Sequence, residues 1–205
     1  EKLGIDTMKV LEAAKAKYNF QVHYPGAGVG GPCLPINSYQ LLNTARRIGV
    51  KLSLIESGRL INEAMPDHVI ELTIDAFNES KVPIEKSKIL IMGISYKPNV
   101  KDVQLSPAKN IIKKFQNLGS DVHIYDPFFK STEIFGIKVC DDFENILSEM
   151  DAVVIVTGHD EFKQIELTSF TKIKSKILID SRGIIDPNHI KNKNLIFRGL
   201  GRGNF

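Results

Sequence analysis

The chain has 205 residues, 42% of them hydrophobic and 25% charged, which excludes a disordered or fibrous protein and leaves apolar mass for one large domain or a domain with an appendage. A formal net charge of +3, on lysines scattered among acids, excludes the basic stripe of a nucleic-acid binder and leaves room for a small anionic ligand. No apolar run reaches the ~18 residues of a membrane span, and the two distant cysteines, Cys33 and Cys140, form neither a disulfide framework nor a metal-ligand pattern, so a cytoplasmic protein without membrane contact is expected.

In chain order, EKLGIDTMKVLEAAKAKY reads as the tail of one helix, a break at Gly4 and a second helix capped by Asp6, as if cut from a longer protein. YPGAGVGGPCLPIN, Tyr24 to Asn37, then sets Cys33 behind a glycine-rich loop. SYQLLNTARRIG fits a helix begun by Ser38 as N-cap and closed by Gly49, with Leu42, Ala45 and Ile48 on one face. In LSLIESGRLINEAMPDHVIELTIDAFNES, Ile61, Met65 and Val69 recur every four residues beside Ile70, Ile74 and Phe77, and Pro66 marks a kink or a junction between two helices. A stripe this long needs a cover. Either the rest of the domain or a second subunit supplies it, and a homodimer through the helices of residues 38–80 is the expectation.

From Lys88 the period changes. KILIMGIS, DVHIYDP, AVVIVTG, KILIDSRG and LIFRGLG are short runs rich in Val and Ile, separated by PAKNIIKKFQNLG and DFENILSEM, which carry helical pattern. This alternation predicts βαβ units and a mostly parallel sheet, an α/β fold over residues 86–205 preceded by a helical region over residues 1–85. Ligands of such sheets sit beyond the carboxyl ends of the strands. Those ends carry Ser95, Tyr96 and Lys97; Asp126; Gly158 and His159; and Ser181 and Arg182. Lys97 and Arg182, two cations on one edge, form a clamp suited to an anionic ligand.

The glycine loop does not meet the dinucleotide pattern, which requires a preceding strand and an acid about 20 residues on. Gly26, Gly28, Gly30 and Gly31 are therefore either a tight turn or a place where backbone approaches a ligand. Cys33 is either an inert buried thiol or, beside a helix start and the free N–H groups of a glycine loop, an activated nucleophile. Cys140 in GIKVCDDF has neither feature and reads as structural. His159 either faces the ligand edge or caps the following helix, and no histidine has ligand spacing, so no metal is expected.

Together, YPGAGVGGPCLP, NEAMP, MGISYKPNVKDVQLSPA, IYDP, VIVTGHDEF and LIDSRG resemble, in order and spacing, the C-terminal half of the UDP-glucose/GDP-mannose dehydrogenase family, in its acetamido-sugar branch. The resemblance implies a Rossmann-like UDP-binding domain preceded by a central helical dimerisation region, with an NAD-binding domain upstream of Glu1, and a role in surface-polysaccharide synthesis. It implies oxidation of the C6 alcohol of a UDP-sugar to a carboxylate in two hydride transfers to NAD, with Cys33 carrying a thiohemiacetal and then a thioester. Tyr24, Gly26, Gly28, Gly30 and Gly31 would wrap the substrate, and Tyr96, Lys97 and Arg182 would hold it.

Three positions depart from the family pattern. Asn37 stands where the family usually has Asp; it makes hydrogen bonds but cannot take the proton of an attacking water. Ile36 stands where many members have Lys. Gln104 replaces an arginine that contacts cofactor phosphates, while Asp102 is kept. The family's catalytic lysine is also expected upstream, so this chain alone should be inactive. Two other readings stay open: a nucleotide-sugar-binding and oligomerisation module without catalysis, and an unrelated doubly wound domain whose cysteine loop is accidental.

Overall fold

The computed structural model describes residues 1–191 and 193–203. Seven strands form one sheet: β1 (Lys88–Met92), β2 (Asp121–Tyr125), β3 (Glu133–Ile134), β4 (Ile137–Cys140), β5 (Ala152–Ile155), β6 (Ile177–Asp180) and β7 (Ile196–Gly199). Their spatial order is β3-β4-β2-β1-β5-β6-β7, with every neighbouring pair parallel except β3 with β4. The fold is α/β, as the strand pattern predicts. The order reverses between β1 and β5, which makes that gap the topological switch point.

All four residues of β5 and of β6 are buried, because a central parallel strand is covered on both faces. One face of the sheet is covered by α3 (Ser53–Ser80) and α4 (Pro107–Asn117), whose Val69, Ile70, Ala76, Phe77, Ile111, Ile112 and Phe115 share a core with Ile89, Ile91, Val154 and Ile179. The other face packs Leu90, Val153 and Leu178 against Phe143, Leu147, Phe162 and Phe170. Each fully buried side chain of this size contributes about 1.5–3 kcal/mol over its exposed state. The C-terminal half of α3 thus belongs to the core of the sheet.

Helix α1 (Thr7–Ala14) begins as predicted, with the Asp6 carboxylate accepting from Met8 N at 2.9 Å, but residues 1–5 form a turn in which Gly4 N donates to Glu1 O at 2.8 Å, where a helix tail is expected. Helix α2 (Leu34–Arg47) starts a turn earlier than the Ser38 cap predicts. Cys33 is its N-cap, Pro35 lies in its first turn, and Ser38 Oγ donates to Leu34 O at 2.8 Å as an interior residue. Pro at the first turn suits a helix because its missing N–H has no intrahelical acceptor there.

Pro66 neither ends nor divides α3, which runs through it for 28 residues, roughly 40 Å. DFENILSEM forms only a 3-10 turn at Leu147–Glu149, since Asp142 Oδ1 accepts from Glu144 N at 2.9 Å and starts a tight turn instead of a helix. The β3–β4 hairpin has no counterpart in the sequence reading. Its turn places Phe135 and Gly136 at positive φ, 55° and 78°, and a two-residue strand is too short to show a period.

Candidate active-site cleft at the carboxyl edge of the sheet

The carboxyl end of β1 is built around Asp126, which is fully buried. Its Oδ2 accepts from Ile94 N at 2.9 Å and Ser95 N at 3.2 Å, and its Oδ1 from Phe128 N at 3.0 Å. Ser95 Oγ donates to Oδ2 at 3.1 Å, and His159 Nε2 completes the set at 3.0 Å. Burial by itself raises this carboxyl, yet the hydrogen bonds from His159 and the backbone outweigh it and hold Asp126 below the usual carboxylate range. His159 is the N-cap residue of the following 3-10 turn, accepting from Phe162 N through its backbone carbonyl at 3.0 Å, but its side chain makes no capping hydrogen bond. Its Nδ1 accepts from Asn99 N at 2.9 Å, so the ring proton resides on Nε2 and points at Asp126.

The loop between β1 and α4 carries Tyr96, Lys97 and Gln104. Thr157 Oγ1 donates to Ser95 O at 2.6 Å, Tyr96 N donates to Asp102 O at 3.0 Å, and Gln104 N donates to Asp102 Oδ1 at 2.8 Å. The glycine loop docks directly on this segment through Gly31 N, which donates to Gln104 O at 2.9 Å. A Cβ at Gly30 would lie 2.3 Å from Leu105 O, and one at Gly31, where φ is 89°, would lie 2.6 Å from the Tyr96 ring. These glycines therefore answer to the neighbouring protein chain: they let two loops lie in backbone contact. On the other flank, a Cβ at Gly26 would meet the Arg182 guanidinium, and Val29 N donates to Asn62 Oδ1 of the NEAMP motif at 2.8 Å.

Cys33 is exposed at the first turn of α2, which sets aside the buried-thiol reading. Asn37, also exposed, lies one turn on, with its N–H donating to Cys33 O at 2.9 Å. Cys140 is half-buried in β4, where burial pushes its thiol up.

Arg182 follows β6, where Asp180 accepts from the N–H groups of Arg182, Gly183 and Ile185 and fixes the turn. Burial pulls the Arg182 guanidinium below its ordinary value, with Asp180 opposing that shift. Among the described residues no carboxylate lies within salt-bridge distance of it. Arg182 lines a cleft of about 390 Å³ with Met8, Glu12, Tyr24, Pro98, Gly158 and Lys163, and a neighbouring one of about 270 Å³ with Tyr24, Gly26, Gly28 and Ile61. Tyr24 OH donates to Glu12 at 2.5 Å, and that bond raises the phenol above its usual value.

Tyr24, Gly26, Gly28 and Arg182 are thus brought together, as are Gly30, Gly31, Tyr96 and Gln104. Lys97 is exposed, lines neither cleft, and has its Nζ 5.5 Å from the centre of the Tyr96 ring. Sequence reasoning did not identify Glu12, Asn62 or the His159–Asn99 contact; only the motif membership of Asn62 and His159 signalled them.

The end of β1 does not have the strand-to-helix form of a dinucleotide cradle. At Gly93, which follows β1 with φ 81°, a Cβ would lie 2.5 Å from Thr157 O, and the chain then enters a loop held by Asp126 instead of opening a helix toward a phosphate. Gln104 is exposed, and its backbone carbonyl accepts from Gly31 N.

Residues 90–187 match the UDP binding domain of the UDP-glucose/GDP-mannose dehydrogenase family, and residues 1–64 match the central domain of the same family. The UDP-N-acetyl-D-mannosamine dehydrogenase of Pyrococcus horikoshii is 34% identical over 201 residues, 98% of this chain and 45% of that protein. The UDP-N-acetyl-D-glucosamine 6-dehydrogenase of Salmonella typhi is 31% identical over 190 residues, 90% of this chain and 44% of that protein. A solved structure of UDP-D-ManNAc dehydrogenase from Pyrococcus horikoshii superposes with a TM-score of 0.88 at 32% identity, over 100% of this chain and 46% of that one. The chain spans about half the length of the curated relatives it matches. Two domains of one family matched in chain order, on a fold shared with a solved relative, establish that this chain belongs to the UDP-glucose/GDP-mannose dehydrogenase family.

Proposed function

We propose that this chain is the substrate-binding and dimer-forming part of a cytoplasmic, NAD-dependent UDP-sugar 6-dehydrogenase that serves polysaccharide biosynthesis. Its substrate is a UDP-N-acetylhexosamine, with UDP-N-acetyl-D-mannosamine favoured by the Pyrococcus horikoshii relative. One observation carries the reading: the cysteine-bearing glycine loop lies between Tyr96 and Arg182 at the carboxyl edge of a parallel sheet. An arginine without a carboxylate partner among the described residues suits a diphosphate, and the loop that leads from it to Cys33 suits the attached sugar.

NAD, when bound, supplies the acceptor for both oxidations, and the described residues of this chain build no cradle for it. Their own part is capture. Cys33 Sγ adds to the C6 aldehyde, forming a C–S bond while the carbonyl oxygen takes a proton, and oxidation of this thiohemiacetal leaves a thioester. Water then cleaves the C–S bond, giving the carboxylate and restoring the thiol. Covalent capture keeps the aldehyde in place between the two oxidations. Asn37 can orient the attacking water through hydrogen bonds but cannot accept its proton. That limitation, with Gln104, favours a second reading: a nucleotide-sugar-binding and oligomerisation module without turnover.

The helical region of residues 1–85 supports the homodimer. Leu41 on α2 and Ile48 at its C-cap, seven residues apart, and Leu54 and Ile61 on α3, also seven apart, are 50%, 72%, 87% and 66% exposed. Two exposed apolar rows on neighbouring helices fit a second copy.

Alkylation tests the reading directly. With iodoacetamide and peptide mapping, saturating UDP should slow modification of Cys33 several-fold and leave Cys140 unaffected. Equal Cys33 rates with and without UDP would sink the substrate assignment. NADH production from the full-length protein and a UDP-N-acetylhexosamine separates the enzyme from the binding module.

A further inference from the structure

The sheet order reverses between β1 and β5, so the loops that leave these two strands diverge and open a crevice. In this chain the crevice is bridged. Asn99, at the tip of the β1–α4 loop in the left-handed conformation with φ 61°, donates its N–H to His159 Nδ1 at 2.9 Å. Its side chain donates to Asp160 Oδ2 at 2.6 Å and accepts from Asp160 N at 3.1 Å. The imidazole that receives the loop tip is fully buried, with its centre 5.2 Å from those of the Phe128 and Phe162 rings, and its Nε2–H is committed to Asp126. The ring has no freedom to turn.

Other attachments of the loop lie toward its ends, at Ser95, between Tyr96 and Asp102, and between Gln104 and Gly31. Pro98, beside Asn99, forms a wall of the cleft that contains Arg182 and Gly158. Closing the switch point therefore leaves the ligand cleft on the β5–β6 side and connects its wall to the loop on which Gly30 and Gly31 rest, two residues before Cys33.

We infer that His159 is a positioning residue whose Nδ1 latches the loop tip at Asn99, setting the Pro98 wall of the cleft and the seat of the Cys33 loop; its ligand rests on the UDP-sugar reading, the latch on hydrogen-bond geometry alone.

Two variants of this chain separate the latch from simple packing. His159→Asn keeps an acceptor at the δ position for Asn99 N and loses the donor to Asp126. His159→Gln keeps a donor at the ε position and loses the δ acceptor. The readouts are hydrogen exchange at the Asn99 amide, the iodoacetamide rate at Cys33, UDP affinity by calorimetry, and the melting temperature. His159→Gln should speed Asn99 exchange about tenfold, change the Cys33 rate at least about threefold and weaken UDP about fivefold, the scale of one net hydrogen bond. His159→Asn should stay near wild type in all three, even where its melting temperature falls. Wild-type Asn99 exchange in His159→Gln overturns the inference, as do equal losses in both variants that follow the melting temperature. If the wild-type chain does not bind UDP, the ligand reading fails, and exchange at Asn99 with the Cys33 rate still decides the latch.

Discussion

At the scale of single residues, Asp126 is a buried carboxylate held by hydrogen bonds from several directions. Its carboxyl is held below its ordinary value by hydrogen bonds that more than offset burial, so the native state binds its proton less readily than the unfolded chain. The stability it contributes is fully present above the unfolded value of about 4 and is lost as pH falls through the lower folded value. Asp126→Asn should destabilise the chain by about 1–3 kcal/mol at neutral pH, and the difference from wild type in urea unfolding should shrink below about pH 4. A difference that grows on acidification would contradict this. Asp126 and His159 were both legible as strand-end residues from IYDP and TGHDEF. Their pairing was not, because 33 residues separate them and only the parallel β1–β2 and β1–β5 contacts bring the two strand ends together. The glycines tell a similar story. Their spacing announced close approach, but that the approaching groups are Leu105 O, the Tyr96 ring and Arg182 depends on how the loops fold back.

At the scale of elements, α3 illustrates a local signal overridden by packing. Proline inside a helix costs about 3 kcal/mol relative to alanine, since it removes one N–H and crowds the preceding turn. Pro66 is nevertheless buried mid-helix, and the following turns lay Val69, Ile70, Thr73, Ala76 and Phe77 on the sheet. Pro66 cannot donate to Asn62 O, and Gly28 passes close to that carbonyl: a Cβ there would be 3.4 Å from it. Pro66→Ala restores the backbone bond and should raise unfolding free energy by about 1–2 kcal/mol, after allowance for a freer unfolded chain. A lower midpoint in urea would mean that the proline ring contributes more by packing than it costs. The start of α2 shows the reverse bias. Ser38 looked like a cap by residue type, whereas Pro35 in the first turn was the better marker, and the shift makes Cys33 itself the N-cap.

At the scale of the whole molecule, the uncovered apolar rows of α2 and α3 predict self-association. The double variant Leu41→Glu, Leu54→Glu should shift sedimentation from dimer to monomer while retaining UDP binding, since both side chains are exposed and neither lines a cleft that contains Arg182. A wild-type chain that sediments as a monomer at high micromolar concentration would place the dimer contacts elsewhere. The sequence by itself determined the α/β class, the parallel strands β1, β2, β5, β6 and β7, the helical pattern of α1, α2, α3 and α4, and the glycine-rich loop that leads to Cys33. Hydrophobic period and glycine or proline placement are local properties, and each of these elements is long enough to display them. Tertiary structure alone decided the hairpin at the sheet edge, the passage of α3 through Pro66, the separation of Lys97 from the Arg182 cleft and the bridge from Asn99 to His159. The bridge and the place of Lys97 follow from which distant groups meet once the parallel sheet has closed, whereas the hairpin and the passage through Pro66 are short-range features whose local signal, a two-residue strand and a helix-interior proline, is overridden by packing.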